Sequence, residues 1–208
     1  MIFAFNKPYR IVSQFTKESE EFGTLAEFGF PKGVYPIGRL DATSEGLLLL
    51  GDERKIVNTL LDPKKGHQRT YLVQVEGEVG EAEIEQLERG VIIQGHNTAP
   101  ALCMIAPDIT LPERSVPIRK RLSIPTTMLI LQLTEGKNRQ VRKMTASVGK
   151  PTLRLIRIAI GSLTLPSIPL GTFRPITPTE QKSLFVPISL ADANNVAKQM
   201  SITLDSQR

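Results

Sequence analysis

The sequence predicts an α+β fold, and three observations carry that prediction. Strand-like and helix-like segments follow one another without the regular strand–helix–strand beat of a doubly wound sheet. Hydrophobic residues make up 40% of the 208 residues, enough to core one large domain or two small subdomains. The most apolar run, Gly46–Leu50, has the length of a strand rather than of a membrane span and is bounded by Gly46 and Gly51.

The elements are read in order. "MIFAFNKPYRIVSQF" is a short strand, a turn at Lys7-Pro8 and a second extended run. "GTLAEFGF" is a short helix with Thr24 as N-cap. "GLLLL" is either a doubly buried strand or a buried helical turn, and the flanking glycines favour the strand. "DERKIVNTLLDP" is an amphipathic helix capped by Asp52 and closed before Pro63. "QRTYLVQVEG" alternates as a strand rich in β-formers, and "EAEIEQLERG" is a solvated helix ended by Gly90. "GVIIQG" and "PALCMIAP" are short strands. Residues 107–125 carry four prolines and read as a loop. "TTMLILQLTEG" is a strand, followed by a helix over "NRQVRKMTASVGK" with Asn138 as N-cap and Gly149 as the C′ residue. "PTLRLIRIAIGSLTL" is a strand with both faces partly covered, and "GTFRPIT" is the last strand. Residues 178–208 read as a polar extension with a weak helical signal in "DANNVAKQM".

Composition narrows the function. A single cysteine, Cys103, excludes an internal disulfide, and His67 and His96 have no ligand-like spacing, so no metal site is expected. His67 reads as a surface residue. No Walker A, GxGxxG or HExxH motif is present. The N-terminus does not resemble a signal peptide, and the expected compartment is the cytoplasm. Net charge is +5, and it is unevenly spread. Eleven Lys or Arg residues and one acid, Glu135, lie between Arg114 and Arg157, whereas six acids and no base lie between Glu76 and Glu88. Such a basic half suits a polyanionic partner. Aromatics are only 5%, which argues against a platform that stacks successive bases of a single strand.

Three places could carry chemistry. Asp41 in "PIGRLDATSEGLLLL" stands at the mouth of a buried strand, where a rigid element meets a loop. It is either a turn carboxylate paired with Arg39 or a reacting group. Arg139, Arg142 and Lys143 share one face of their expected helix, either as a phosphate grip or as a solvated face. Tyr71 is either a strand-edge core residue or a ring that stacks on a base. Arg119-Lys120-Arg121 is a phosphate clamp or merely a soluble loop.

"NKPY", "GRLDATSEGLLLL", "RTYLVQVEG" and "EGKNRQVRKMTASVGKPTLRLIRIAIGSLTL", in this order, resemble the RsuA-type pseudouridine synthases, from about Ile2 to Thr177. The resemblance is greatest to the subgroup that acts on 23S ribosomal RNA without an N-terminal S4 domain. It implies a catalytic domain over residues 1–177, with a mixed, largely antiparallel sheet flanked by helices and two subdomains around a central cleft. It implies Asp41 as the catalytic aspartate, Tyr71 as the residue stacking on the target base, and Arg142 as the salt-bridge partner of Asp41. Leu155 would pack the pocket. Arg39, Arg139 and Lys143 would contact substrate. The implied reaction isomerises uridine in ribosomal RNA after flipping it out of the stack, without a cofactor, by a monomer.

Overall fold

A computed structural model describes residues 1–52, 58–60, 62, 67–118, 121 and 123–205. The helix expected over residues 52–63 lies largely outside these, as do Arg119 and Lys120. One nine-stranded sheet organises the chain. Its path is β11 (Phe173–Pro175), β1 (Ile2–Lys7), β3 (Glu45–Gly51), β9 (Thr152–Ile160), β4 (Arg69–Glu76), β8 (Thr126–Leu133) and β7 (Leu102–Ile105). Strand β2 (Tyr35–Ile37) adds to β3, and β10 (Leu163–Thr164) adds to β9. A separate hairpin pairs β5 (Ile92–Ile93) with β6 (His96–Asn97). Among these strands every pairing is antiparallel except β3 with β9, which lasts for two residue pairs, Glu45↔Ile156 and Gly46↔Arg157. The mixed, largely antiparallel sheet is the one expected, and its two halves join along this short parallel seam.

The sheet is buried on both faces, which explains why "GLLLL" shows no alternation. Leu47 and Leu49 point to one core with Ile2, Ala4, Leu72, Ile130 and Ile158. Leu48 and Leu50 point to the other with Phe3, Phe5, Tyr71, Val73, Leu131 and Leu155. Two helices sit over this second face, α1 (Glu81–Arg89) through Leu87 and α2 (Gln140–Ser147) through Val141 and Met144.

The C-terminal segment corrects the polar extension expected after residue 177. Helices α3 (Pro178–Ser183) and α4 (Leu190–Asp205) follow β11, and Leu184, Ile188, Ala193, Val196 and Ala197 are buried in the first core. Small Ala193 and Ala197, four apart, let α4 lie close on the sheet, a pattern that a hydropathy scan reads as weak. Two further expectations change. The second run after Lys7-Pro8 makes only one isolated bridge, Ile11↔Gly23. The short helix after Thr24 is a 3-10 turn over Leu25–Phe28, although Thr24 does cap it. Among the described residues no helix is long and apolar enough to cross a membrane.

Candidate active site

A cleft of about 860 Å³ opens over the parallel seam. Its floor and walls bring together Arg39, Asp41, Tyr71, Arg139 and Leu155, which lie far apart in sequence. This volume is in the usual range for a site that takes a small organic group. The cleft also holds Arg69, Lys137 and Arg157 and, besides Asp41, the carboxylates Asp62 and Glu135, so cations outnumber acids in its lining.

Asp41 is half-buried and sits in a loop, residues 40–44, that runs into β3. Five hydrogen bonds hold this loop. The Ser13 hydroxyl donates to the Leu40 carbonyl at 2.7 Å and accepts from the Leu40 N–H at 2.9 Å. The Arg10 N–H donates to the Ala42 carbonyl at 2.7 Å. The Ser44 N–H closes a turn on the Asp41 carbonyl at 2.9 Å. Arg142 Nη2 donates to the Thr43 carbonyl at 2.7 Å. A carboxylate on so constrained a backbone is preorganised, as a reacting group needs to be.

The expected Arg142–Asp41 salt bridge is corrected by this geometry. Among the described residues no ion pair joins Asp41 to a cation. Arg142 acts on the backbone two residues away and feels the Asp41 charge through space. Burial, and next Arg139, push its guanidinium below the ordinary value, while Asp41 and Tyr9 oppose the shift. The alternative pairing of Asp41 with Arg39 is absent too, and Arg39 is exposed at the cleft rim.

The helix face expected for Arg139, Arg142 and Lys143 is broken at its start. Helix α2 begins at Gln140, and its N-cap is Arg139 in the left-handed region, with φ 52°. Asn138 therefore does not cap it. The buried Gln140 side chain explains the offset: its Oε1 accepts from the Lys137 N–H at 2.9 Å and its Nε2 donates to Glu135, folding "EGKNR" into a loop at the cleft. Arg139 is turned into the cleft, whereas Lys143 is turned away and donates to Gln94 Oε1 at 3.1 Å. Lys143 does not line the site.

Tyr71 is 8% exposed, with its ring in the second core and one side on the cleft. Leu155 is 5% exposed and packs in the same layer, since Val73 pairs with Leu155 and Tyr71 with Arg157. His67, expected at the surface, is buried: its Nε2 lies 2.8 Å from the Thr59 carbonyl and its ring meets Phe185 edge-on.

Two buried cations stand at the base of the cleft, Lys7 below it and Arg157 in its lining. Lys7 is fully buried, and its Nζ donates to the Ile11 carbonyl at 2.7 Å and the Pro8 carbonyl at 2.9 Å. Burial pushes its amine down to about 7, opposed by the charges of Glu45 and Asp41. Arg157 is 4% exposed, and its Nε donates to the Leu47 carbonyl at 2.7 Å, one residue beyond the point where the β3–β9 ladder ends. The sequence signal for each is a charged residue in or at the end of a mainly apolar strand. Among the described residues no group of three or more His, Cys, Asp or Glu could hold a metal ion.

The arrangement suits chemistry on a group brought in from a polyanion: one fixed carboxylate, an aromatic and an aliphatic wall, and cations at the rim. Known proteins agree in kind. Residues 1–147 match the family model described as RNA pseudouridylate synthase. The ribosomal large subunit pseudouridine synthase E of Xanthomonas campestris pv. campestris is 47% identical over 178 residues, covering 84% of this chain and 94% of that protein. Its namesake from Vibrio vulnificus is 47% identical over 176 residues, covering 85% and 75%. A solved structure titled "Crystal structure of pseudouridylate synthase" superposes with a TM-score of 0.71 at 27% identity, covering 88% of this chain and 73% of that one.

Proposed function

The chain belongs to the RNA pseudouridylate synthase family, and from that premise we propose that it isomerises a uridine of large-subunit ribosomal RNA to pseudouridine, with Asp41 as the reacting carboxylate. The single observation that carries the assignment of Asp41 is its position: it shares the cleft with Tyr71, Leu155 and the rim cations on a pinned loop, and unlike Glu135, which is taken up by Lys137, Ala99 and Gln140, its carboxylate enters no ion pair among the described residues. The relatives named for the large ribosomal subunit support the substrate.

The reaction breaks the N1–C1′ bond, turns the uracil and joins C5 to C1′. The C5 proton leaves and N1 gains one, so atoms balance without a second substrate or an electron carrier. Asp41 acts at the ribose, by attack on C1′ or by taking the C2′ proton. Tyr71 offers a ring face to the flipped base, at a cost for flipping of a few kcal/mol. Leu155 keeps water from the detached uracil. Arg39 and Arg139 hold phosphates at the rim, and Arg142 fixes the loop under Asp41. Residues 1–177 supply every one of these groups, and α4 buttresses the sheet from the opposite face. Ribosomal RNA as substrate supports a cytoplasmic site of action.

Asp41→Asn tests the assignment. It keeps shape and removes the charge, so binding to a 23S ribosomal RNA transcript stays within about threefold while pseudouridine formation is lost. A mutant that still forms pseudouridine refutes the role of Asp41. Pseudouridine mapping of 23S RNA from cells lacking the protein tests the substrate: one site disappears, and an unchanged map refutes it.

A further inference from the structure

Strand β9 carries two buried arginines with opposite surroundings. Arg154 is fully compensated: its Nε and Nη2 donate to the two oxygens of Glu45 at 2.7 and 2.9 Å, and its Nη1 donates to the Pro112 carbonyl at 2.7 Å. Arg157 has no carboxylate partner among the described residues. Its Nε is held by the Leu47 carbonyl, and its Nη2 is buried without a hydrogen-bond partner. Burial pushes its guanidinium below the ordinary value; Tyr71 opposes that shift and Arg69, a like charge, adds to it. A buried cation without a carboxylate partner costs several kcal/mol, so a structural purpose alone is a poor account of it.

What stands beside Arg157 is Tyr71. The two residues face each other across β4 and β9. The pairing register jumps between Thr70, opposite Ala159, and Tyr71, opposite Arg157, so Ile158 is passed over. This bulge sets Tyr71 and Arg157 on the cleft side together, and both line the cleft. Position is enforced from below as well. Gly46, at φ +100°, lies so close that a Cβ there would stand 2.3 Å from the Arg157 carbonyl oxygen.

We propose that Arg157 is a positioning residue that acts through Tyr71, fixing the phenol at the cleft wall and setting a positive charge beside its hydroxyl. This rests on the reading of the cleft as the uridine site. A cation next to the phenol oxygen makes its O–H a stronger donor, so Tyr71 holds the flipped nucleotide by its hydroxyl as well as by its ring. The pairing accounts for the cost of burying Arg157: the charge is spent on the substrate's polar atoms rather than on a carboxylate.

The test measures single-turnover conversion of a 23S ribosomal RNA transcript, and its binding, for wild type, Tyr71→Phe, Arg157→Lys and the double mutant. Loss of one charge-assisted hydrogen bond predicts that Tyr71→Phe slows conversion by about 10- to 100-fold, with binding changed by less than about threefold. Arg157→Lys slows it to a similar degree, and the double mutant is no slower than the slower single mutant. Wild-type rate in Tyr71→Phe overturns the proposal, since no hydroxyl is then needed. So do losses that multiply in the double mutant, or weakened binding with an unchanged rate in Arg157→Lys. If Arg157→Lys does not fold, Tyr71→Phe decides alone by the same criterion. A wild-type protein that forms no pseudouridine sinks the functional assignment instead, and an inactive Asp41→Asn beside a fully active Tyr71→Phe sinks only this proposal.

Discussion

Replacing Glu45 by glutamine isolates the cost of an unpaired buried charge in this fold. The side chains of Arg154 and Glu45 are 8% and 5% exposed, so water screens neither. Arg154 is also tied by Nη1 to the Pro112 carbonyl, so it cannot swing out to solvent without losing a third bond. Glutamine keeps the size and one acceptor oxygen. It loses the charge and turns one acceptor into a donor facing the guanidinium. Breaking a buried pair from one side costs about 3–5 kcal/mol. That is a large share of a typical domain stability of about 5–15 kcal/mol. Urea unfolding at pH 7 measures it, with equal m-values as the check that only stability has changed. Arg154→Met should cost about as much, because it strands the Glu45 carboxylate. The double mutant should cost at least about 2 kcal/mol less than the sum of the two. A loss below about 1 kcal/mol for Glu45→Gln, or strict additivity, would show that the pair does not hold the β3–β9 seam.

Three further perturbations reach the site by other routes. Gly46→Ala puts a Cβ into the Arg157 backbone at a left-handed φ, so a loss of about 3 kcal/mol or more is expected in the urea midpoint, and a change under about 1 kcal/mol contradicts the close approach. Arg142→Met releases the Thr43 carbonyl and loosens the Asp41 loop, so conversion slows about 100-fold while RNA binding changes little; an unchanged rate removes Arg142 from the mechanism. Lys7 is charged in the unfolded chain up to about 10.5 but in the folded protein only up to about 7. The folded state therefore binds fewer protons between these values, and the penalty of burying the amine is complete below pH 7 and fades as pH rises toward 10.5. Relative to Lys7→Met, the wild-type protein gains a few kcal/mol over that range, and parallel stability curves from urea unfolding at pH 6, 8 and 10 would contradict this.

Much of the sheet was legible because its signals are local. The leucine run, the alternation around Tyr71 and the glycines after α1 and α2 each report on their own neighbours. The C-terminal helices give a weak sequence signal because alanines carry little hydropathy, and their burial depends on a sheet formed by distant residues. The start of α2 was misplaced because Gln140 uses its side chain to shape the preceding loop, so the cap falls on Arg139.

The site divides in the same way. The sequence alone determined which residues could react: an aspartate beside an arginine at the mouth of a buried strand, a strand tyrosine, and a basic half suited to a polyanion. Motif order placed them in one family. Only the tertiary structure decided who touches whom. It put Arg142 on the Thr43 carbonyl rather than on Asp41, turned Lys143 away from the cleft and left Arg39 at the rim. It also set Lys7 beneath the cleft and Arg157 in its wall. Spacing along a chain cannot specify such contacts. They depend on the register of β4 against β9, on one bulge in it, and on the two-residue seam where β3 meets β9.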